Sequence, residues 1–248
     1  MVYDKQTFKQ DKKAFKNDKK AAKKQVKESW KNSNYGFSGV GDISSDENRT
    51  FVDGVTNMNG GEFKELFVEG VCNFFDSINA EKLGVEGVFS CKGDITSKIF
   101  YCEGVATITG NVRANEVSVE GVVEIRGSLE ADKISCEGVI RTEGEISADL
   151  VMARGAIFAR EIVGEKIVIK SEVKGFMARK FINKRDVADL IEATTIELHR
   201  VNAKVVNGHD IRIGYKCNID SIDCSGTLYL DPTAKVGEIK GNYQRIEE

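Results

Sequence analysis

Proline is almost absent: Pro232 is the only one in 248 residues. A chain this poor in proline forms no polyproline segment, and nearly every residue keeps a backbone N–H for ladder hydrogen bonds. Histidine is nearly as scarce. His199 and His209 are the whole complement, and neither stands beside a recurring serine, cysteine or carboxylate. That argues against nucleophilic or histidine-based acid–base catalysis, and a solenoid enzyme would have to depend on one of those two side chains. No C-x-x-C occurs among the six cysteines, and G-G-x-G-x-D calcium repeats are missing, so neither a metal nor a cofactor is expected. No run of eighteen apolar residues and no signal-peptide h-region is present, which makes the cytoplasm the expected compartment.

What the chain has instead is a unit that returns every seventeen residues. Gly70, Gly87, Gly104, Gly121, Gly138 and Gly155 mark six consecutive copies. Glutamate precedes five of these glycines (Glu69, Glu86, Glu103, Glu120, Glu137), and valine follows them (Val71, Val88, Val105, Val122, Val139). A second ladder, Gly93, Gly110, Gly127 and Gly144, runs six residues behind. Self-similarity at a fixed short period marks a solenoid. Each unit holds three apolar i, i+2 pairs, as in Val123/Ile125, Leu129/Ala131 and Ile134/Cys136. Such a pair puts two side chains on one strand face with a polar residue between them facing water. Three short strands per coil of about 17 residues, with starts spaced six, five and six apart, predict an all-β, three-sided parallel coil.

Corners every five or six residues call for glycine, through positive φ or close backbone approach. Cys72, Cys91, Cys102 and Cys136 fall at inward positions and read as buried free thiols; Cys217 and Cys224, flanking Ile219 and Ile222, read alike. The spacing breaks the strict hexads of left-handed β-helix acyltransferases, and the coils are too small for pectin-lyase-like enzymes. No catalytic residue is assigned. Ile162/Gly164 and Ile167/Ile169 fit a unit one residue short, after which Lys174 to Arg185 forms a basic, partly aromatic insertion. The period is expected to resume as Thr194/Ile196, Ile211/Ile213 and Leu228/Leu230, with Ile219/Val236 and Ile222/Ile239 alongside. The β-helix is thus assigned to 62–241, with nine to ten coils and a tail over 242–248.

Net charge is −3, but residues 1–31 alone carry eleven lysines against Asp4, Asp11, Asp18 and Glu28, or +7, leaving −10 elsewhere. Phe8, Phe15, Ala22, Val26 and Trp30 recur at helical spacing among Lys12, Lys13, Lys19, Lys20, Lys23 and Lys24. This basic arm can form a thin amphipathic helix, or remain a solvated tail. Its expected partners are an anionic membrane surface or an acidic protein, with nucleic acid the least favoured. A Gly/Asn/Ser/Asp-rich stretch over 32–61 reads as a linker.

Coils leave unpaired strand edges at both ends. Phe63, Phe67, Phe74 and Phe75 crowd the first, and Leu228, Leu230, Val236 and Ile239 close the last, so these eight are the candidates for self-association. Two surface ladders add to them. The glutamates before each marker glycine form an acidic stripe, and the valines after it are either an exposed line for lateral contact or a corner tucked inward.

The unit, as in G-N-V-R-A-N-E-V-S-V (Gly110 to Val119) and G-S-L-E-A-D-K-I-S-C (Gly127 to Cys136), resembles the bactofilin-type proteins, the polymer-forming cytoskeletal family of bacteria. The stretches G-G-E-F-K-E-L-F-V-E-G (Gly60 to Gly70) and A-K-V-V-N-G-H-D-I-R-I-G-Y-K-C-N-I (Ala203 to Ile219) resemble its larger Bacillus-type branch. The resemblance covers about residues 60–241 and leaves out the lysine arm; the basic insertion departs from the compact family core. It implies a right-handed β-helix, whose hand the pairs alone leave open. It also implies nucleotide-free assembly into filaments and scaffold roles near the membrane, with the arm as a tether at its inner face. The other expectation is a non-polymerising adaptor that binds protein, lipid or nucleic acid through the arm and the ladders.

Overall fold

The computed structural model describes residues 41–45, 48–171 and 187–247. All regular structure among them is β. A short antiparallel strand β1 (Gly41–Ser45) precedes β2 (Arg49–Met58). From there the chain alternates long and short strands: β3 (Gly61–Val68), β4 (Val71–Phe74), β5 (Ile78–Val85), β6 (Val88–Cys91), β7 (Ile95–Cys102) and β8 (Val105–Ile108). The same alternation continues through β9 (Val112–Val119), β10 (Val122–Ile125), β11 (Leu129–Cys136), β12 (Val139–Thr142), β13 (Glu145–Ala153) and β14 (Ala156–Phe158). The remaining strands are β15 (Glu161–Lys170), β16 (Ala188–His199), β17 (Asn202–Ile213), β18 (Asn218–Cys224), β19 (Thr227–Leu230), β20 (Lys235–Lys240) and β21 (Gln244–Arg245). From β2 onward every pairing is parallel and joins one coil to the next. The protein is a parallel β-solenoid of about eleven coils, roughly 50 Å long at about 4.8 Å per coil.

Each coil has three sides, as the apolar pairs predict, but only two strands. The four-residue strand forms the first side. The eight-residue strand bends in its middle and supplies the second and third. In β9 the inward residues are Val112 and Ala114, then Val117 and Val119, with Asn115 and Glu116 both turned outward at the bend. Two consecutive outward residues shift the phase of the alternation, and that shift is the corner. The first of them drops out of the ladder: Ala131 pairs with Ala148 and Lys133 with Leu150, passing over Asp132 and Asp149. Small residues (Ala80, Ser97, Ala114, Ala131, Ala148) line the inside of this bend, where inward side chains converge.

The marker glycines are explained by close approach. Positive φ among glycines is confined to Gly54, Gly61 and Gly241 in the described residues. A Cβ on Gly104 would run into the Gly87 carbonyl oxygen, and one on Gly121 into that of Gly104. Those carbonyls accept the ladder bonds Val105 N→Gly87 O (2.9 Å) and Val122 N→Gly104 O (2.9 Å). All six cysteines are free and buried, as their inward register predicts. Burial pushes the Cys72 thiol up to about 11 and that of Cys136 to about 12.

Three expectations change. The first coil begins at Arg49, inside the stretch read as linker, because Val52 and the 55–58 strand continue the inward register below the first marker glycine. The coils therefore number about eleven rather than nine to ten. Beyond the basic insertion, whose residues lie outside those described, the coil closes in fifteen: Ile196 stacks on Ile211 and Leu198 on Ile213, not Thr194/Ile196 on that pair. Arg200, left-handed at φ 58°, takes the β16–β17 corner in two residues, and Lys216 at φ 55° repeats the device one coil on. The seventeen-residue spacing returns with Ile219↔Val236, Ile222↔Ile239 and Ile211↔Leu228. The unit of sixteen is present as read, with Ile146 on Ile162.

Candidate functional site

The sides differ most in what they show to solvent. On the first side the outward residues of successive rungs are Val55/Asn57, Val71/Asn73, Val88/Ser90 and Val105/Thr107, with no charge among them. Val55, Val88 and Val105 are 53%, 49% and 43% exposed, and Val71, Val122 and Val139 are half-buried. The valine line is therefore on the surface. It ends at Ala156, which is buried. The second side carries Glu62, Lys64, Glu81, Lys98 and Arg113 over the corresponding rungs, all exposed. Several of its charges pair along the axis, including Lys98–Glu81 (3.0 Å) and Arg113–Glu130 (2.7 Å).

The acidic ladder occupies the corner between the third and first sides. Glu103 and Glu120 are exposed, whereas Glu69, Glu86 and Glu137 are half-buried. Their backbones are held rung on rung, with Glu86 N→Val68 O, Glu103 N→Val85 O and Glu120 N→Cys102 O all at 2.8 Å. Tyr101 lies against Gly84 and Phe67 beside this ladder. Burial, then Glu86, Glu103, Glu65 and Glu69, push its phenol well above the usual range. Arg154 replaces the glutamate in the sixth unit.

The proposed end residues separate into two groups. Phe74 is fully buried and packs between Phe63 (6.0 Å, edge-on) and Phe89 (5.6 Å); Phe67 is 7% exposed. Both are core because coil one starts earlier than the sequence suggests, and they cannot form an end face. Phe63 is partly buried, and Phe75 is 50% exposed beneath Lys92 Nζ. At the other end Leu228 is buried, while Leu230, Val236 and Ile239 are partly buried against the core. The last-coil outer residues Tyr243 and Ile246 are 36% and 38% exposed. Among the described residues no strand lies beyond β20. At the first coil β1 covers residues 50–54 of β2, and no described strand lies beyond Val55–Met58 or Gly61–Phe63. The basic-arm residues Lys12, Lys13, Phe15, Lys19, Lys20, Lys23, Lys24 and Trp30 lie outside the described residues.

The two histidines are not brought together. His199 donates from Nε2 to Glu197 (3.1 Å), which also pairs with Lys170 (2.7 Å), and its ring packs on Tyr215. His209 is exposed, with Nδ1 3.1 Å from Ser225 Oγ. No group of three or more His, Cys, Asp or Glu among the described residues could hold a metal ion. An open groove of about 460 Å³ follows the bend between the second and third sides, over Ala114, Ala131, Ala148 and Gly164. No helix among the described residues is long and apolar enough to cross a membrane.

One ladder escaped sequence reading. Ser77, Asp94, Asn111 and Ser128 stand one coil apart, the last three directly after glycines of the second series, and each side chain accepts the next coil's backbone N–H. Asp94 N reaches Ser77 Oγ at 3.0 Å, Asn111 N reaches Asp94 Oδ1 at 2.7 Å, and Ser128 N reaches Asn111 Oδ1 at 2.9 Å. The shared seventeen-residue spacing and turn-forming chemistry of these four residues were the available signal.

The architecture defines a parallel β-solenoid protein whose regular surfaces are ladders, not a side-chain constellation in a cleft. No family model matches the chain, and no solved structure does. A protein of Bacillus subtilis (strain 168) described as "Uncharacterized protein YhbE" is 43% identical over 49 residues, 20% of this chain and 21% of the relative. The chain thus spans about a fifth of that relative's length.

Proposed function

We propose that this protein is a bactofilin-like structural scaffold, non-catalytic, that self-assembles without nucleotide by end-to-end stacking of its solenoids. The observation that carries the reading is the last coil. Val236 and Ile239 extend the apolar stacks of Ile219 and Ile222 but stay only partly buried. Beyond β20 no described strand accepts or donates the next set of ladder bonds. A strand edge above a half-covered apolar layer is a template for another chain of matching rise. Two ends on one rod make such contacts propagate. The resemblance of the repeat to bactofilin-type proteins supports the same reading, and the lysine arm is the tether to an anionic membrane surface or an acidic protein.

Electron microscopy and sedimentation of the full chain test it. Filaments or a concentration-dependent ladder of oligomers are expected, shortened by V236E together with I239E. A strictly monomeric species across salt and concentration overturns the reading. Tether function is read from binding to phosphatidylserine vesicles, which a chain beginning at Val40 should lose. The cut precedes β1 because β1 and β2 belong to the first coil.

A further inference from the structure

The first side differs from the second in charge. Solenoid sides are flat β-surfaces, and charges along them discourage face-to-face association. Over the first four rungs the second side carries five charges and the first none; on the last two rungs of the first side Glu124 and Arg141 pair with each other at 3.1 Å. Of the seven large apolar residues most exposed among those described, Val55, Phe75, Val88 and Val105 gather on or at the rim of this side. The valines stack in register, Val55↔Val71↔Val88↔Val105↔Val122↔Val139. They therefore form a straight apolar line repeating at about 4.8 Å. A surface that matches this line rung for rung must have the same rise.

We infer that the valine line is a lateral interface for a second copy of this chain, with the two rods parallel and related by a twofold axis along the line. Such an axis sets each valine against its own counterpart at the same height, so the side chains abut rung for rung. It also decides direction. With parallel rods the glutamate column beside the line faces the partner's next outward column. Glu69 then meets Asn73, Glu86 meets Ser90, Glu103 meets Thr107 and Glu137 meets Arg141, all donor-bearing groups, while Glu120 meets Glu124, whose charge Arg141 of its own rod pairs at 3.1 Å. With antiparallel rods the glutamates would face glutamates. The contact spans about four residues by six rungs, roughly 13 Å by 29 Å, or ~380 Å² of plane per copy. Two copies give ~760 Å² before side-chain relief is counted, the size of a weak association that gains strength when many rungs or many rods are joined.

Cysteine crosslinking tests this, because all six native thiols are buried and an introduced surface thiol is the reactive one. The full chain carrying V88C should form a disulfide-linked dimer under mild oxidation. T96C, exposed on the second side of the same coil, should not. V105K added to V88C should abolish the dimer while circular dichroism and melting stay those of the parent, since Val105 is on the surface. The V236E/I239E background separates lateral contact from end stacking, and there the V88C crosslink should persist. Equal crosslinking of V88C and T96C, or none from V88C, overturns the interface. Crosslinking of V88C only when mixed with V105C overturns the parallel arrangement, because the middle of the line falls between those two rungs.

Discussion

Replacing Gly121 by alanine separates two reasons for a repeated corner glycine. Were the glycine there for conformational freedom alone at negative φ, alanine would fit and stabilise by about 0.4–1 kcal/mol through the unfolded chain. The structure predicts the opposite sign. The new Cβ would meet the Gly104 carbonyl oxygen and the Glu103 backbone, none of which is the movable end of a side chain. Relief requires the two coils to part locally, stretching Val122 N→Gly104 O (2.9 Å) and Gly121 N→Cys102 O (3.1 Å). Overpacking of this kind costs about 1–3 kcal/mol. Weakening two ladder bonds, each worth about 0.5–1.5 kcal/mol, reaches a similar figure. A net loss of about 2 kcal/mol corresponds to a fall in melting temperature of ~4–8 °C for a domain this size. Urea denaturation with an unchanged m-value is the assay, and the adjacent exposed Glu120→Ala, expected within about 0.5 kcal/mol of the parent, is the control. G121A equal to the parent or more stable would refute the close-approach argument.

Phe74→Ala should cost about 3–5 kcal/mol, because Phe74 is fully buried between Phe63 and Phe89. Phe75→Ala next to it should cost far less, so similar urea midpoints for the two variants would contradict the assigned register. A chromogenic disulfide reagent at pH 8 should find no reactive thiol in the native protein and six in denaturant, since burial holds Cys72 near 11 and Cys136 near 12. Rapid labelling of a native thiol would count against the inward assignment. The hydrogen bond from His199, with Lys170 beside it, holds the Glu197 carboxyl at about 2, below its ordinary 4.5. A carboxyl depressed in the folded state stabilises above its unfolded value, and that contribution is lost as pH falls from about 4.5 towards 2. E197Q should therefore show a flatter fall of stability with acidification over that window, and an unchanged slope would disprove the assignment.

Much of the fold was legible because a solenoid's contacts are its own period. Ile134 stacks on Val117 and Val151 because all three occupy the same place in a seventeen-residue unit. The one-residue deletion at Ile162 was readable for the same reason. The first coil was not, since its own marker, Gly54 between Asp53 and Val55, stands sixteen and not seventeen residues before Gly70, inside a stretch whose composition reads as linker. The fifteen-residue coil was missed because a left-handed arginine closes it, and arginine gives no sequence sign of positive φ. The candidate surfaces were named only in part. The valine line was visible, but whether it faced outward depended on how the corner turned, and Phe67 and Phe74 passed for end residues until β2 was seen beneath them.

The sequence by itself determined the period, the three-sided coil and the inward thiols, because alternation and repeat length are local properties that stacking only copies. Tertiary structure alone decided why the glycines are there, where the first coil begins, which aromatics are core and that the valine line faces outward. Those depend on how close one coil lies to the next and on what lies beyond the last, distances that no single unit contains.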